Sequence, residues 1–94
     1  MLDRIEFEAF ITLAEELHFG RTAERLLVTP GRVSQVIKRL ERRIGAPLFD
    51  RTSRSVRLTA VGRELHASLR PAYDDISAAV RRAAGHGRGG PGQL

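Results

Sequence analysis

Residues 29–41 read TPGRVSQVIKRLE, and this stretch carries its own helix start signal. Thr29 is a good N-cap, because its hydroxyl can accept from the free N–H groups of a first turn. Pro30 then falls at the first helical position, where a missing N–H costs nothing. Val33, Val36, Ile37 and Leu40 follow at i, i+3, i+4 and i+7, one apolar stripe. The opposite face centres on Gly31, Gln35, Lys38 and Arg42, with Arg32, Ser34 and Arg39 on its flanks. Hydrogen-bond donors and positive charge dominate that outward face, which suits the groove of a nucleic-acid duplex.

On the N-terminal side, residues 21–27 form a short helix expected to turn Ala23, Leu26 and Leu27 inward. The small Ala23 allows a steep crossing against a neighbouring helix. Val28-Thr29 makes a tight turn, so two short helices are joined as a helix-turn-helix. Further upstream, residues 3–17 repeat Phe7, Phe10, Ile11, Ala14 and Leu17 with helical period, which leaves Glu6, Glu8, Glu15 and Glu16 for the solvent face. His18-Phe19-Gly20 interrupts the pattern: Gly20 is expected to start the second helix, Phe19 to plug the space between helices, and His18 to be a loop residue.

On the C-terminal side, Gly45 after Arg42-Arg43 is a C-cap signal, and Pro47 reinforces the stop. Val56 and Leu58 then alternate with Ser55 and Arg57 around the turn-like Thr52-Ser53-Arg54-Ser55. The stretch 48–58 is therefore a small β-hairpin with a basic tip, held by packing Phe49, Val56 and Leu58 on the helices. Thr59 caps a long helix over 60–84, with Val61, Leu65, Leu69, Ala72, Ile76, Val80 and Ala83 on one stripe. At 1.5 Å per residue it would reach roughly 37 Å, more than a domain of this size can cover, so pairing with another chain is expected. Pro71 should kink or divide it. Residues 85–94, GHGRGGPGQL, read as a flexible glycine-rich tail.

Ninety-four residues, 41% hydrophobic and 29% charged, make one small globular domain. With no cysteine, disulfides and thiolate zinc sites are excluded. No apolar run approaches a membrane span, and MLDRIEFEAF is not a signal peptide, so a cytoplasmic protein without a membrane role is expected. The net charge of +5 is segregated: residues 32–57 hold eight basic and two acidic residues, and the remainder sums to −1. Such a zone is the electrostatic footprint of a polyanion binder.

Taken together, Phe10, Phe19 with Thr22-Ala23-Glu24-Arg25-Leu26, Val28-Thr29, Val33-Ser34, Ile37 and Leu40-Glu41 form a pattern. Its most specific part is Leu48-Phe49-x-Arg51-x-x-Arg54-x-Val56-x-Leu58-Thr59-x-x-Gly62. The sequence resembles the N-terminal DNA-binding domain of LysR-type transcriptional regulators over residues 4–84. The resemblance implies a mainly α winged helix-turn-helix over residues 1–58 and a dimerisation helix over 59–84. It further implies homodimers, commonly tetramers in longer forms, that bind double-stranded promoter DNA at an interrupted palindrome. The large effector-sensing domain of the family is absent here, so no small-molecule effector site or cofactor is expected, and the chain reads as an isolated DNA-binding portion or a truncated relative. The family's recognition helix usually begins Ser-Gln-Pro-Ala; here it begins Thr29-Pro30-Gly31-Arg32, so base preference should differ from that of typical members.

On this footing Thr29 and Ser34 are expected to hold phosphates, and Pro30, Gly31, Arg32 and Gln35 to lie nearest the bases. Lys38 and Arg39 are expected to reach the backbone, and Arg54 the neighbouring minor groove. Arg51 has two equal readings, a phosphate contact or an internal brace against Glu41 or Asp50. Val61, Leu65, Leu69, Ile76 and Val80 are the expected dimer seam. An enzyme is disfavoured, because His18, His66 and His86 are scattered and no phosphate-binding glycine loop occurs. The rival reading is a dimeric winged-helix protein-interaction module, which would want an apolar outward face on residues 29–41.

Overall fold

The computed structural model describes residues 2–52 and 54–87. Four helices and one hairpin follow in the order α1 (Arg4–Glu16), α2 (Phe19–Leu26), α3 (Pro30–Ile44), β1 (Phe49–Arg51), β2 (Val56–Leu58) and α4 (Ala60–Gly87). Phe10 and Leu13 of α1, Val33, Val36, Ile37 and Leu40 of α3, and Leu48 at the entry to the hairpin are fully buried together. The strands pair antiparallel in the register Phe49↔Leu58, Asp50↔Arg57, Arg51↔Val56. Phe49 and Leu58 turn toward the core, and the Phe10 and Phe49 rings sit 5.6 Å apart. A two-stranded ribbon has no stability of its own, and this contact supplies it.

The helix starts differ in detail from expectation. His18, not Gly20, caps α2: its Nδ1 accepts from Arg21 N–H at 3.0 Å, and its carbonyl accepts from both the N–H and the hydroxyl of Thr22. An imidazole nitrogen with a free lone pair can cap as a hydroxyl does, so α2 begins two residues early. Leu27, expected inside, is 91% exposed, because it ends α2 in the left-handed conformation with φ 60°. That reversal swings its side chain away while Val28 N–H returns to Ala23 O. Leu17 ends α1 the same way and is 40% exposed rather than buried.

The acid expected on the outer face of α1, Glu6, is wholly buried. It sits three residues after the N-cap Asp3 and accepts the Asp3 N–H at 2.8 Å, the reciprocal arm of a capping box.

Thr59 caps α4, accepting from Gly62 N–H while its hydroxyl donates to Pro47 O. Its N–H donates to Leu48 O, so the long helix starts against the entry to the hairpin. Gly62 is buried there, where a Cβ would lie 2.2 Å from Leu48 O. Pro71 does not divide α4: the helix is continuous through it. The helix also runs on to Gly87, so residues 85–87, expected as tail, are helical, while the rest of that tail lies outside the described residues. No described helix is long and apolar enough to cross a membrane.

Candidate nucleic-acid interface

The outward face of α3 is built by its cap. Thr29 Oγ1 accepts from Arg32 N–H at 3.1 Å and Thr29 O from Val33 N–H, which fixes the first turn with Pro30 at its start. The inward stripe of Val33, Val36, Ile37 and Leu40 then fixes the helix rotation. Pro30, Gly31, Arg32, Gln35, Lys38 and Arg42 are left in solvent, and Ser34 is half-buried beside them. Among the described residues, Arg32, Lys38, Arg42 and Arg54 form no ion pair.

Arg39 is placed differently. Its Nε donates to Glu6 at 3.2 Å, and its Nη2 lies 3.8 Å from Asp3. Arg43, one turn on, brings its Nε to the same Glu6 oxygen at 3.2 Å. Burial pushes the Glu6 carboxyl up, but the Asp3 N–H and the two guanidiniums outweigh it and hold it below its ordinary value. It is therefore a charged carboxylate under the flank of α3.

Glu41 near the end of α3 performs a similar task for the hairpin. One carboxylate oxygen accepts from Leu48 N–H at 2.7 Å and Phe49 N–H at 3.3 Å; the other accepts from Arg51 at 3.4 Å. The Arg51 guanidinium also stacks 5.0 Å from the centre of the Phe19 ring, a cation–π contact that reaches back to α2. Of the two readings for Arg51, these are the contacts of a brace. At the hairpin tip, Thr52 Oγ1 accepts from the N–H groups of Arg54 and Ser55, and Thr52 N–H donates to Ser55 O. This tight turn leaves Arg54 exposed. Glu41 thus ties the base of the hairpin that carries Arg54 to the end of α3.

The five apolar residues expected as a seam on α4 divide. Leu65 and Leu69 pack against this chain's own core, with Tyr73 beyond them. Val61, Ile76 and Val80 are 43%, 58% and 63% exposed. α4 crosses the domain at Leu65, Leu69 and Tyr73, whereas Val61 before that crossing and Ile76 and Val80 after it stand in solvent. Glu41 is expected only as one of two partners for Arg51; its hold on the Leu48 and Phe49 N–H groups, and the burial of Glu6, are not expected, although Asp3-x-x-Glu6 is a readable capping box.

Three helices in this arrangement, with a hairpin after the third, define a winged helix-turn-helix. The profile of bacterial regulatory helix-turn-helix proteins of the lysR family matches residues 6–63. The transcriptional regulator IlvR of Caulobacter vibrioides is 54% identical over 63 residues, 67% of this chain and 21% of that protein. Among solved structures, a full-length OxyR variant from Pseudomonas aeruginosa superposes with a TM-score of 0.82 at 34% identity, covering 94% of this chain and 30% of that one. Full-length CbnR, solved in complex with its target DNA, gives a TM-score of 0.79 at 25% identity over 94% of this chain and 31% of that one. The chain belongs to the lysR family of bacterial regulatory helix-turn-helix proteins. It spans about a fifth to a third of the length of these relatives.

Proposed function

We propose that this chain is the DNA-reading domain of a transcriptional regulator and binds double-stranded promoter DNA in sequence-specific fashion. The observation that carries the reading is the exposed row Pro30, Gly31, Arg32, Gln35, Lys38 and Arg42 on α3, with exposed Arg54 on the hairpin whose base Glu41 of α3 holds. An α-helix fits the major groove, where Arg32 and Gln35 have the donors for bidentate contacts to purine edges. Thr29 and Ser34 at the helix start, with Lys38, hold phosphates. Arg54 enters the neighbouring minor groove, where narrow A·T-rich sequence attracts arginine. Arg51 supports the wing, and Arg39 supports the position of α3. A polar, basic outward face on α3 argues against the protein-interaction reading.

The working unit is a homodimer, a tetramer in a longer form, acting in the cytoplasm on an interrupted palindrome. The exposed Val61, Ile76 and Val80 support pairing through α4, with Leu65 and Leu69 at the margin of the seam. The test is binding to a random duplex and to an interrupted palindrome from the adjacent promoter, titrated across salt. A steep fall of log K with log salt, and tighter binding to the palindrome, is the expected result. A flat slope without binding near physiological salt would turn the reading toward a protein-docking module.

A further inference from the structure

Glu6 is the one wholly buried carboxylate among the described residues, and it lies under the helix expected to face DNA. It takes the Nε of both Arg39 and Arg43 at 3.2 Å, with their side chains only 36% and 44% exposed. Asp3 adds a second acid 3.8 Å from Arg39. Two cations of the basic zone are thus matched by two acids from the start of α1, and the local charge of the four groups is zero. By contrast, Arg32, Lys38 and Arg42 on the same helix keep their charge unmatched.

We propose that Glu6 is a selectivity residue: it masks Arg39 and Arg43 so that the flank of α3 does not bind phosphate backbone indiscriminately. The inference rests on the DNA-binding reading. Its physical basis is that backbone contacts add affinity without sequence information, so each extra free cation strengthens random and cognate duplexes alike. A guanidinium held by a buried carboxylate must leave that carboxylate uncompensated before it can reach a phosphate, and an uncompensated buried charge is costly. Gly31, Arg32 and Gln35 can then discriminate against a lower non-specific background.

Three variants separate this from a merely structural role. Glu6→Gln keeps the shape and removes the charge, Asp3→Asn removes the outer acid, and Asp75→Asn on α4 makes the same change in net charge far from α3. Each is checked by thermal melt and titrated across salt on a random duplex and on the palindrome. Glu6→Gln is expected to steepen the random-duplex slope by about one to two and to tighten random binding by roughly 5- to 30-fold at 0.15 M salt. The cognate-to-random ratio falls, because the freed arginines find phosphates in any register. Asp3→Asn should move the slope the same way by about half as much, and it carries the decision if Glu6→Gln does not fold. Asp75→Asn should stay within about twofold of wild type. Folded Glu6→Gln and Asp3→Asn proteins that behave as Asp75→Asn does would overturn the inference while leaving DNA binding standing. A wild type that binds no duplex would instead sink the DNA reading and the mask with it.

Discussion

The same substitution, glycine to alanine, should have opposite effects at two positions of this fold. At Gly62 the new methyl would lie 2.2 Å from Leu48 O and 2.9 Å from Leu58 Cδ2. Ordinary contact begins near 3.4 Å, so the Leu48 carbonyl would have to retreat by more than an ångström. It cannot do so freely, because it accepts Thr59 N–H at 3.0 Å while Thr59 Oγ1 donates to Pro47 O at 2.8 Å. Overpacking of this kind costs about 1–3 kcal/mol, and losing the Thr59–Leu48 bond adds about 1 kcal/mol. The gain from a better helix former offsets about 0.5–1 kcal/mol. A net loss of about 1–3.5 kcal/mol lowers Tm by roughly 5–25 °C in a domain of this size.

Gly31 is the counterpart. It is exposed in the first turn of α3, and its nearest neighbour would be Thr29 Oγ1 at 4.0 Å, so the fold makes no demand for glycine there. Gly31→Ala should stabilise the protein by about 0.5 kcal/mol and raise Tm by roughly 2–4 °C. Melts followed by circular dichroism at 222 nm, with urea denaturation as a second measure, read both variants. A Gly62→Ala protein melting within about 2 °C of wild type would refute the close-approach argument. So would equal losses at the two sites, which would point to helix ends rather than to the Leu48 carbonyl.

Other outcomes are as specific. Leu27→Asn should stabilise the fold by about 0.5–1 kcal/mol, since leucine is strained at φ 60° and asparagine less so; urea midpoints check it, and a loss would mean that exposed Leu27 packs somewhere. Glu6 and Glu16 are both held below their ordinary value of 4.5, the first by the Asp3 N–H, Arg39 and Arg43 against its burial, the second by Arg25 and Arg21. Depressed carboxyls contribute stability above that value and lose it as pH falls through the folded-state pKa, so Tm should drop on acidification below about pH 4.5. Glu6→Gln should make that acid limb shallower, and an unchanged limb would remove Glu6 from the account. On DNA, Gln35→Ala should cost about 1–3 kcal/mol on the cognate site and relax one base position, whereas Lys38→Ala should weaken all duplexes alike and reduce the salt slope by about one; equal losses on cognate and random DNA for both would refute that division of labour.

The parts of the fold legible in the sequence are those set by local chemistry. Thr29-Pro30 at a helix start, Gly45 at its end, the Val33–Leu40 stripe and the Thr59 cap each depend on residues within a few positions, and all stand where the pattern puts them. The failures were also local in origin. A histidine cap at His18 lies outside the usual cap residues, and left-handed ends at Leu17 and Leu27 use a conformation that leucine seldom adopts, so periodicity carried both leucines inward. Of the candidate interface, the exposed face of α3 was legible because helix rotation follows from the buried stripe. The division between free and engaged cations was not.

That division depends on acids whose partners are remote in sequence. Periodicity sends Glu6, Glu8, Glu15 and Glu16 to solvent because they lie off the apolar stripe of α1. Yet Glu6 binds Arg39, 33 residues away, Glu8 accepts from Tyr73, 65 away, and Glu15 accepts from Arg70, 55 away. Glu16 pairs with Arg21 and Arg25 of α2. Between them these acids join α1 to α3, α4 and α2, with Glu15 also reaching Arg25 of α2, so the face opposite the apolar stripe is in part an inside face. A helix that carries four carboxylates and is surrounded by an arginine-rich fold has two choices for them, water or a cation from a neighbour. The choice is made by the packing of α3, α2 and α4 around it, which no spacing within α1 encodes. By that packing the basic zone is trimmed: the arginines nearest α1 are matched, and those farthest from it, on α3's outward face and at the wing tip, remain free for a polyanion.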